Sequence, residues 1–262
     1  MSAGISQRTR RRILGVASVA AVVLLWQLVA DLVVRSPFIL PSFTDVASAF
    51  VRLIESGVIF SDLVTSLMHF GIGLGAGLLI GVPIGIVMGW FWEGDAIADP
   101  IIEIIRPIPP LAWIPFAIVW FGLTPQAAGF VIFAGTVFPI IISTYAGFRS
   151  VPKVFVEAGK VLGCNRSRDL IRYIALPAAL PSIASGIRIA MGVGWMCLVA
   201  AEMFGVSSYG LGHKIWWYYY LHQMPNVVVY MLVLGLIGLA IDRLFRYYMD
   251  RTLLKWQTGV VA

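Results

Sequence analysis

The sequence predicts an all-α membrane protein of six transmembrane helices with both ends in the cytoplasm. Three observations carry this. Of 262 residues, 60% are hydrophobic and only 12% charged, about half the charged share of a soluble domain. The apolar residues gather into runs of about 20, the length needed to cross a bilayer core as a helix. The basic residues are unevenly shared between the two sides. With the N-terminus inside, fourteen of the nineteen Lys and Arg are cytoplasmic: Arg8, Arg10, Arg11, Arg12, Arg149, Lys153, Lys160, Arg166, Arg168, Arg172, Arg243, Arg246, Arg251 and Lys255. Arg35, Arg52 and Lys214 fall outside, and Arg106 and Arg188 lie within spans. This bias sets orientation, and it accounts for the net charge of +6 without nucleic acid.

The elements follow in order. An arginine cluster precedes an apolar run from Ile13 to about Val34. That run exceeds a signal-peptide core and has no clear cleavage site after it, so it is a first span. Pro37 and Pro41 break the chain, and Thr44 to about Glu55 forms a short amphipathic helix at the membrane surface. The second span runs from about Leu63 to Trp90. Gly73, Gly77, Gly81, Gly85 and Gly89 recur in it at every fourth position, a spacing that lets another helix approach closely. Asp99 is expected to cap a third span that starts at Pro100 and reaches Gly122. Pro107, Pro109 and Pro110 interrupt it, and such a break in a membrane must be buried in protein or line a wet cavity.

Gln126 to Gly147 make the fourth span, kinked at Pro139. Pro177 to Phe204 make the fifth, and Asn226 to about Tyr248 the sixth. The expected organisation is therefore residues 1–60 for the tail, first span and surface helix, 61–250 for a five-helix transmembrane domain, and 251–262 for a cytoplasmic tail. Between the last two spans, Ile215–Tyr220 is the aromatic run IWWYYY. Trp and Tyr favour the membrane–water boundary, so an aromatic belt is preferred here to an aromatic-solute site.

Between the fourth and fifth spans, residues 149–176 form the one long polar stretch. Two short helices are expected there, joined by a turn at Gly163, where a helix end often needs positive φ. Phe155, Ala158 and Leu162 would form the first helix's apolar face, and Lys153, Glu157 and Lys160 its charged one. Asn165 or Ser167 would cap the second helix and Pro177 would end it.

Glu157, Ala158, Gly163, Ile174, Leu176 and Pro177 fall on the marked positions of a known pattern, with Gly159 in place of its second Ala and ten residues rather than nine after Gly163. The stretch resembles the EAA loop of the membrane subunits of binding-protein-dependent ABC importers. Arg106 to Leu123, RPIPPLAWIPFAIVWFGL, and Val199 to Gly212, VAAEMFGVSSYGLG, resemble one branch of that family. That branch serves taurine and alkanesulfonates, nitrate, bicarbonate and some aromatic or heterocyclic nutrients.

The resemblance implies a type I importer permease fold in the plasma membrane. It also implies two ATPase subunits that bind ATP and Mg, a second permease copy as a homodimer, and an extracytoplasmic solute-binding protein. The loop, through Glu157, Ala158, Gly159, Gly163, Ile174, Leu176 and Pro177, would carry ATPase motion into the membrane.

The residues themselves leave little room for other chemistry. No glycine-rich run ends in Gly-Lys-Ser/Thr, so ATP would be bound by another chain. Cys164 and Cys197, and His69, His213 and His222, are scattered. No metal ligands and no catalytic set are assigned, which argues against a membrane-embedded enzyme. The absence of a convincing internal repeat argues against a stand-alone secondary carrier.

Charges inside spans are costly and face protein or water. Arg188 and Glu202 are fourteen residues apart in the fifth span with Trp195 midway, nearly on one helix face. At about 1.5 Å per residue, Arg188 lies near the membrane middle and Glu202 near the outer end. Gly186, Ala190 and Gly194 make a packing stripe on the opposite face. Arg188, Trp195 and Glu202, joined by Arg106, are therefore expected to line a pathway for a small anion, with Glu202 gating its outer end. The alternative is that these charges only pair with one another or with backbone carbonyls.

Overall fold

The structure is a computed structural model that describes residues 7–249 and 251. Lys255 and the expected tail from 252 onward lie outside the described residues, as do the side chains of Arg8 and Arg12. Every regular element described is helical, in the order α1 (Gln7–Leu28), α2 (Phe43–Glu55), α3 (Val58–Trp90), α4 (Trp92–Ile105), α5 (Ile114–Phe121), α6 (Pro125–Arg149), α7 (Lys153–Val161), α8 (Ser167–Leu170), α9 (Leu176–Met203), α10 (Leu211–Tyr220) and α11 (Met224–Tyr248). Among the described residues, five helical stretches are long and apolar enough to cross a membrane. Trp92–Ile105 and Pro110–Phe121, bent by 85°, make a sixth when counted as one broken span.

The chain divides into two compact units. Among the described residues, one comprises those up to Phe60 with Lys214–Val233. In it, α1 runs on through a wider π turn, Val29–Val34, and α2 starts at the N-cap Ser42, whose hydroxyl accepts from the Asp45 amide at 3.1 Å. Trp26 ties α1 to the start of α2 by donating to the Pro41 carbonyl at 3.0 Å and meeting Phe43 edge-on. His222 closes α10 in the left-handed region and stacks on Phe38, the rings 5.1 Å apart.

The other unit, Ser61–His213 with the residues from Leu234 on, is built around α6. Thr124 caps α6 and Pro125 opens it. Two faces of α6 are covered by small-residue stripes. The glycine ladder of α3 lies on one: a Cβ at Gly81 would come 2.9 Å from Ile140, and one at Gly85 2.6 Å from Thr144 and 2.7 Å from the Ile141 carbonyl. The ladder's partner is thus a helix of the same chain. On the other face, Gly186 of α9 sits against Ser143 and the Pro139 carbonyl, and Gly194 against Thr136. Ala190 between them is fully buried. In hydrocarbon no hydrophobic effect drives helices together, so close backbone approach and dispersion do.

Two expected boundaries are corrected. Asp99 and Pro100 do not open a helix: α4 begins at Trp92 behind the extended Phe91, and Pro100 lies inside it. One missing amide is tolerated within a helix whose neighbours fix its course. Pro177 does not end a helix either. Helical backbone runs without a stop from Ser167 to Met203, through a π turn at Ile171–Ala175. The wider turn makes room for the proline ring, which an α-helix would press against the carbonyl four residues earlier.

Candidate functional site

In the polar stretch, α7 closes with a double hydrogen bond. The Cys164 amide donates to the Gly159 carbonyl at 3.0 Å and the Gly163 amide to the Lys160 carbonyl at 3.1 Å. Gly163 sits between them at φ +99°. This pairing needs a left-handed residue just past the helix, a conformation that glycine reaches without a Cβ penalty. Arg166, with an extended backbone and no side-chain bond, precedes α8, so neither Asn165 nor Ser167 acts as its cap.

Gly159, the departure from the expected pattern, has a packing reason. A Cβ there would overlap the Cδ1 of Ile174, and Leu170 closes the same spot at 3.3 Å. Two of the marked positions therefore lock α7 onto the π turn. This seating also rotates α7 away from the expected arrangement. Gly159 is buried and Val156 half-buried, while Phe155, Ala158 and Leu162 are exposed. Val154, Phe155, Val161 and Leu162, each more than half exposed, form an uncovered apolar surface. Arg149, Lys153, Lys160, Arg166, Arg168 and Arg172, all exposed, lie in the same stretch of chain. Glu157 is exposed and makes no ion pair among the described residues.

Within the spans, the four residues expected to line one pathway fall in three places. Arg106 caps α4 at the proline break and lines a cavity of about 350 Å³ with Ile108, Pro110, Gly135, Pro139 and Ser143. Arg188 lines a different cavity of about 270 Å³ with Trp195, Phe70 and Asp242. Its guanidinium donates to both oxygens of Asp242, at 2.7 and 3.1 Å, so the cation is compensated by α11. Trp195 donates to the Leu234 carbonyl at 3.2 Å and meets Phe70 edge-on.

Glu202 faces neither cavity, which corrects its expected place on the pathway wall. It is fully buried. Ser66 donates to its carboxylate at 2.9 Å, and the Gly212 amide at 2.8 Å. His69 Nδ1 lies 2.9 Å from Oε1 and, facing an acceptor, carries the hydrogen. The Leu211 amide in turn donates to Ser66 Oγ at 2.9 Å. The cause is the chain after α9. Gly205 and Gly210, at φ +79° and +123°, turn it back over the helix end, and Gly210 leaves no room for a Cβ beside the carboxylate.

Asp242, Ser66, His69 and Ser143 escaped the sequence reading. Asp242 and His69 carried the signal that singled out Arg188, an ionisable group in an apolar run. Ser66 and Ser143 had none, since serine is common in membrane helices.

A glycine-laddered helical core, a broken third span and a basic loop seated on the fifth define a polytopic transport subunit. The chain belongs to the family of binding-protein-dependent transport system inner membrane components, whose model matches residues 81–253. A protein of Methanocaldococcus jannaschii described as an ABC transporter permease is 37% identical over 247 residues, 93% of this chain and 92% of its own. The bicarbonate transport system permease protein CmpB of Synechococcus elongatus is 35% identical, covering 75% of this chain and 70% of its own. The taurine transport system permease protein TauC of Escherichia coli is 34% identical, covering 79% and 76%. Among solved structures, the inward-facing MetNI methionine ABC transporter matches with a TM-score of 0.57 at 22% identity, over 74% of this chain and 97% of that one, a likeness of fold. The protein is a multi-pass inner-membrane component of an ABC transporter.

Proposed function

We propose that this chain is the permease subunit of an ATP-driven importer and that residues 149–176 are its contact with a separate ATPase. The observation that carries this is the uncovered apolar surface of α7, Val154, Phe155, Val161 and Leu162, in a stretch whose basic side chains are exposed as well. It lies on a helix locked to the fifth span through Gly159 and Ile174. A partner that grips α7 pushes on α9 through the unbroken helix from Ser167.

In this reading two ATPase subunits bind ATP and Mg and close on hydrolysable nucleotide. Two identical permease copies form the pathway, and an extracytoplasmic binding protein delivers the solute. The relatives named for bicarbonate and taurine favour a small anionic solute. Both chain ends lie in the cytoplasm with the basic loop.

The test is association and activity of the reconstituted complex. Gly163→Val places a branched side chain at φ +99°, a strain of about 1–2 kcal/mol. Glu157→Lys adds a positive charge to a surface that is already basic. Both variants are expected to insert normally and to lose ATPase association and solute-stimulated hydrolysis. Wild-type association by both refutes the coupling role.

A further inference from the structure

The cavity at the break between α4 and α5 differs from the rest of the core in its electrostatics. Arg188 is compensated by Asp242, and Glu202 by Ser66, His69 and the Gly212 amide. Arg106 and the Ser143 hydroxyl have no ion pair or side-chain hydrogen bond among the described residues, and both line this cavity. An unpaired guanidinium between spans is stable only where it meets water or an anion. Pro139 lies in the same wall. Having no N–H, it leaves the Gly135 carbonyl, also in the wall, without its donor four residues on. Ile108, Pro110, Ala134, Phe138, Ile142 and Ile189 complete the lining.

We propose that this cavity is the oxyanion subsite of the translocation pathway. A guanidinium is donor-only and planar, and it matches the oxygens of a sulfonate or carbonate group in pairs. Ser143 supplies a further hydroxyl donor, and the Gly135 carbonyl, which lacks the amide donor four residues on, accepts from an amine or hydroxyl on the solute. The apolar wall takes a short alkyl segment. At about 350 Å³ the cavity is at the small end of ligand pockets, so the solute class is a small organic or inorganic oxyanion. This rests on the permease reading above, but the subsite is tested in the permease alone, so its failure is distinct from a failure of ATPase docking.

The probe is a thiol at the cavity. Full-length protein carrying Cys164→Ser, Cys197→Ala and Ser143→Cys is reconstituted in proteoliposomes. It is then treated with methanethiosulfonates bearing either an ethylsulfonate or an ethyltrimethylammonium group. The ratio of the two rates cancels any change in thiol reactivity and reports the local potential. It should favour the sulfonate reagent with Arg106 present and fall by about tenfold or more in Arg106→Gln. Arg106→Lys should keep the preference, which separates loss of charge from loss of fold. Ethanesulfonate, taurine or bicarbonate in solution should slow the sulfonate reagent only when the cation is present. An unchanged ratio in Arg106→Gln overturns the proposal, as does no modification by either reagent. Modification in detergent that disappears in proteoliposomes assigns the cavity to a lipid phosphate and overturns it too.

Discussion

Removing the Glu202 carboxylate should unlock the chain that follows the fifth span. Its side chain is fully buried and meets three donors: the Ser66 hydroxyl, His69 Nδ1 and the Gly212 amide. His69 Nε2 is buried without a partner, so the imidazole has no second bond to fall back on. In Glu202→Ala, the His69 and Gly212 donors are stranded and Ser66 keeps only the bond it accepts from Leu211. At about 1–3 kcal/mol for each of the three buried donors left without the carboxylate, the loss is about 3–9 kcal/mol. Glu202→Gln keeps the shape and one acceptor oxygen but presents an NH₂ group to donors, a loss of about 1–3 kcal/mol. For a chain of this size the alanine variant should melt about 6 °C or more below wild type, and the glutamine variant about 2–12 °C below. The assay is the monodisperse fraction after heating in detergent, read beside amide exchange at Leu211 and Gly212, which should rise sharply in Glu202→Ala. Unchanged melting and exchange in Glu202→Ala refutes the clasp. A residue that only gated the outer end would alter transport and leave both readings alone.

Three further outcomes are expected. Leucine at Gly85 meets Thr144 and the Ile141 carbonyl at under 3 Å; backbone cannot yield as a flexible side chain does, so α3 should be displaced and Gly85→Leu should reach the membrane at less than half the wild-type level, while leucine at Gly75, where nothing lies within 4 Å, should be accepted. The Arg188–Asp242 pair is bidentate and half-exposed; Arg188→Gln and Asp242→Asn should each impair uptake by the reconstituted complex, and the double variant should recover more than either, which a solute-binding role for Arg188 would not allow. Cys164 is a free, partly exposed thiol in the basic loop; a membrane-impermeant maleimide should label it in inside-out vesicles and not in intact cells, and labelling of intact cells would overturn the six-span orientation.

The primary sequence by itself determined what depends on composition and local chemistry. Six apolar stretches, one of them broken at Arg106–Pro109, follow from hydrocarbon thickness and from proline's missing amide. The left-handed turn at Gly163 follows from a glycine placed just after an apolar helix. The close-packing roles of the α3 ladder and of Gly186, Ala190 and Gly194 follow from small residues at helical spacing. Tertiary structure alone decided which groups meet. Both small-residue stripes converge on α6, a partner that no spacing names. Gly159, a mismatch in the linear pattern, is the seat of Ile174 fifteen residues on. Pro177 reads as a stop until a π turn admits its ring. Arg188 and Glu202 share a helix face on paper, yet Asp242 of α11 takes the arginine, and the Gly210–Gly212 turn, with Ser66 and His69, encloses the carboxylate. A charge in a span announces that it must be compensated. Whether protein, water or solute compensates it depends on atoms distant in the chain; of the three, Arg106 has no ion pair among the described residues.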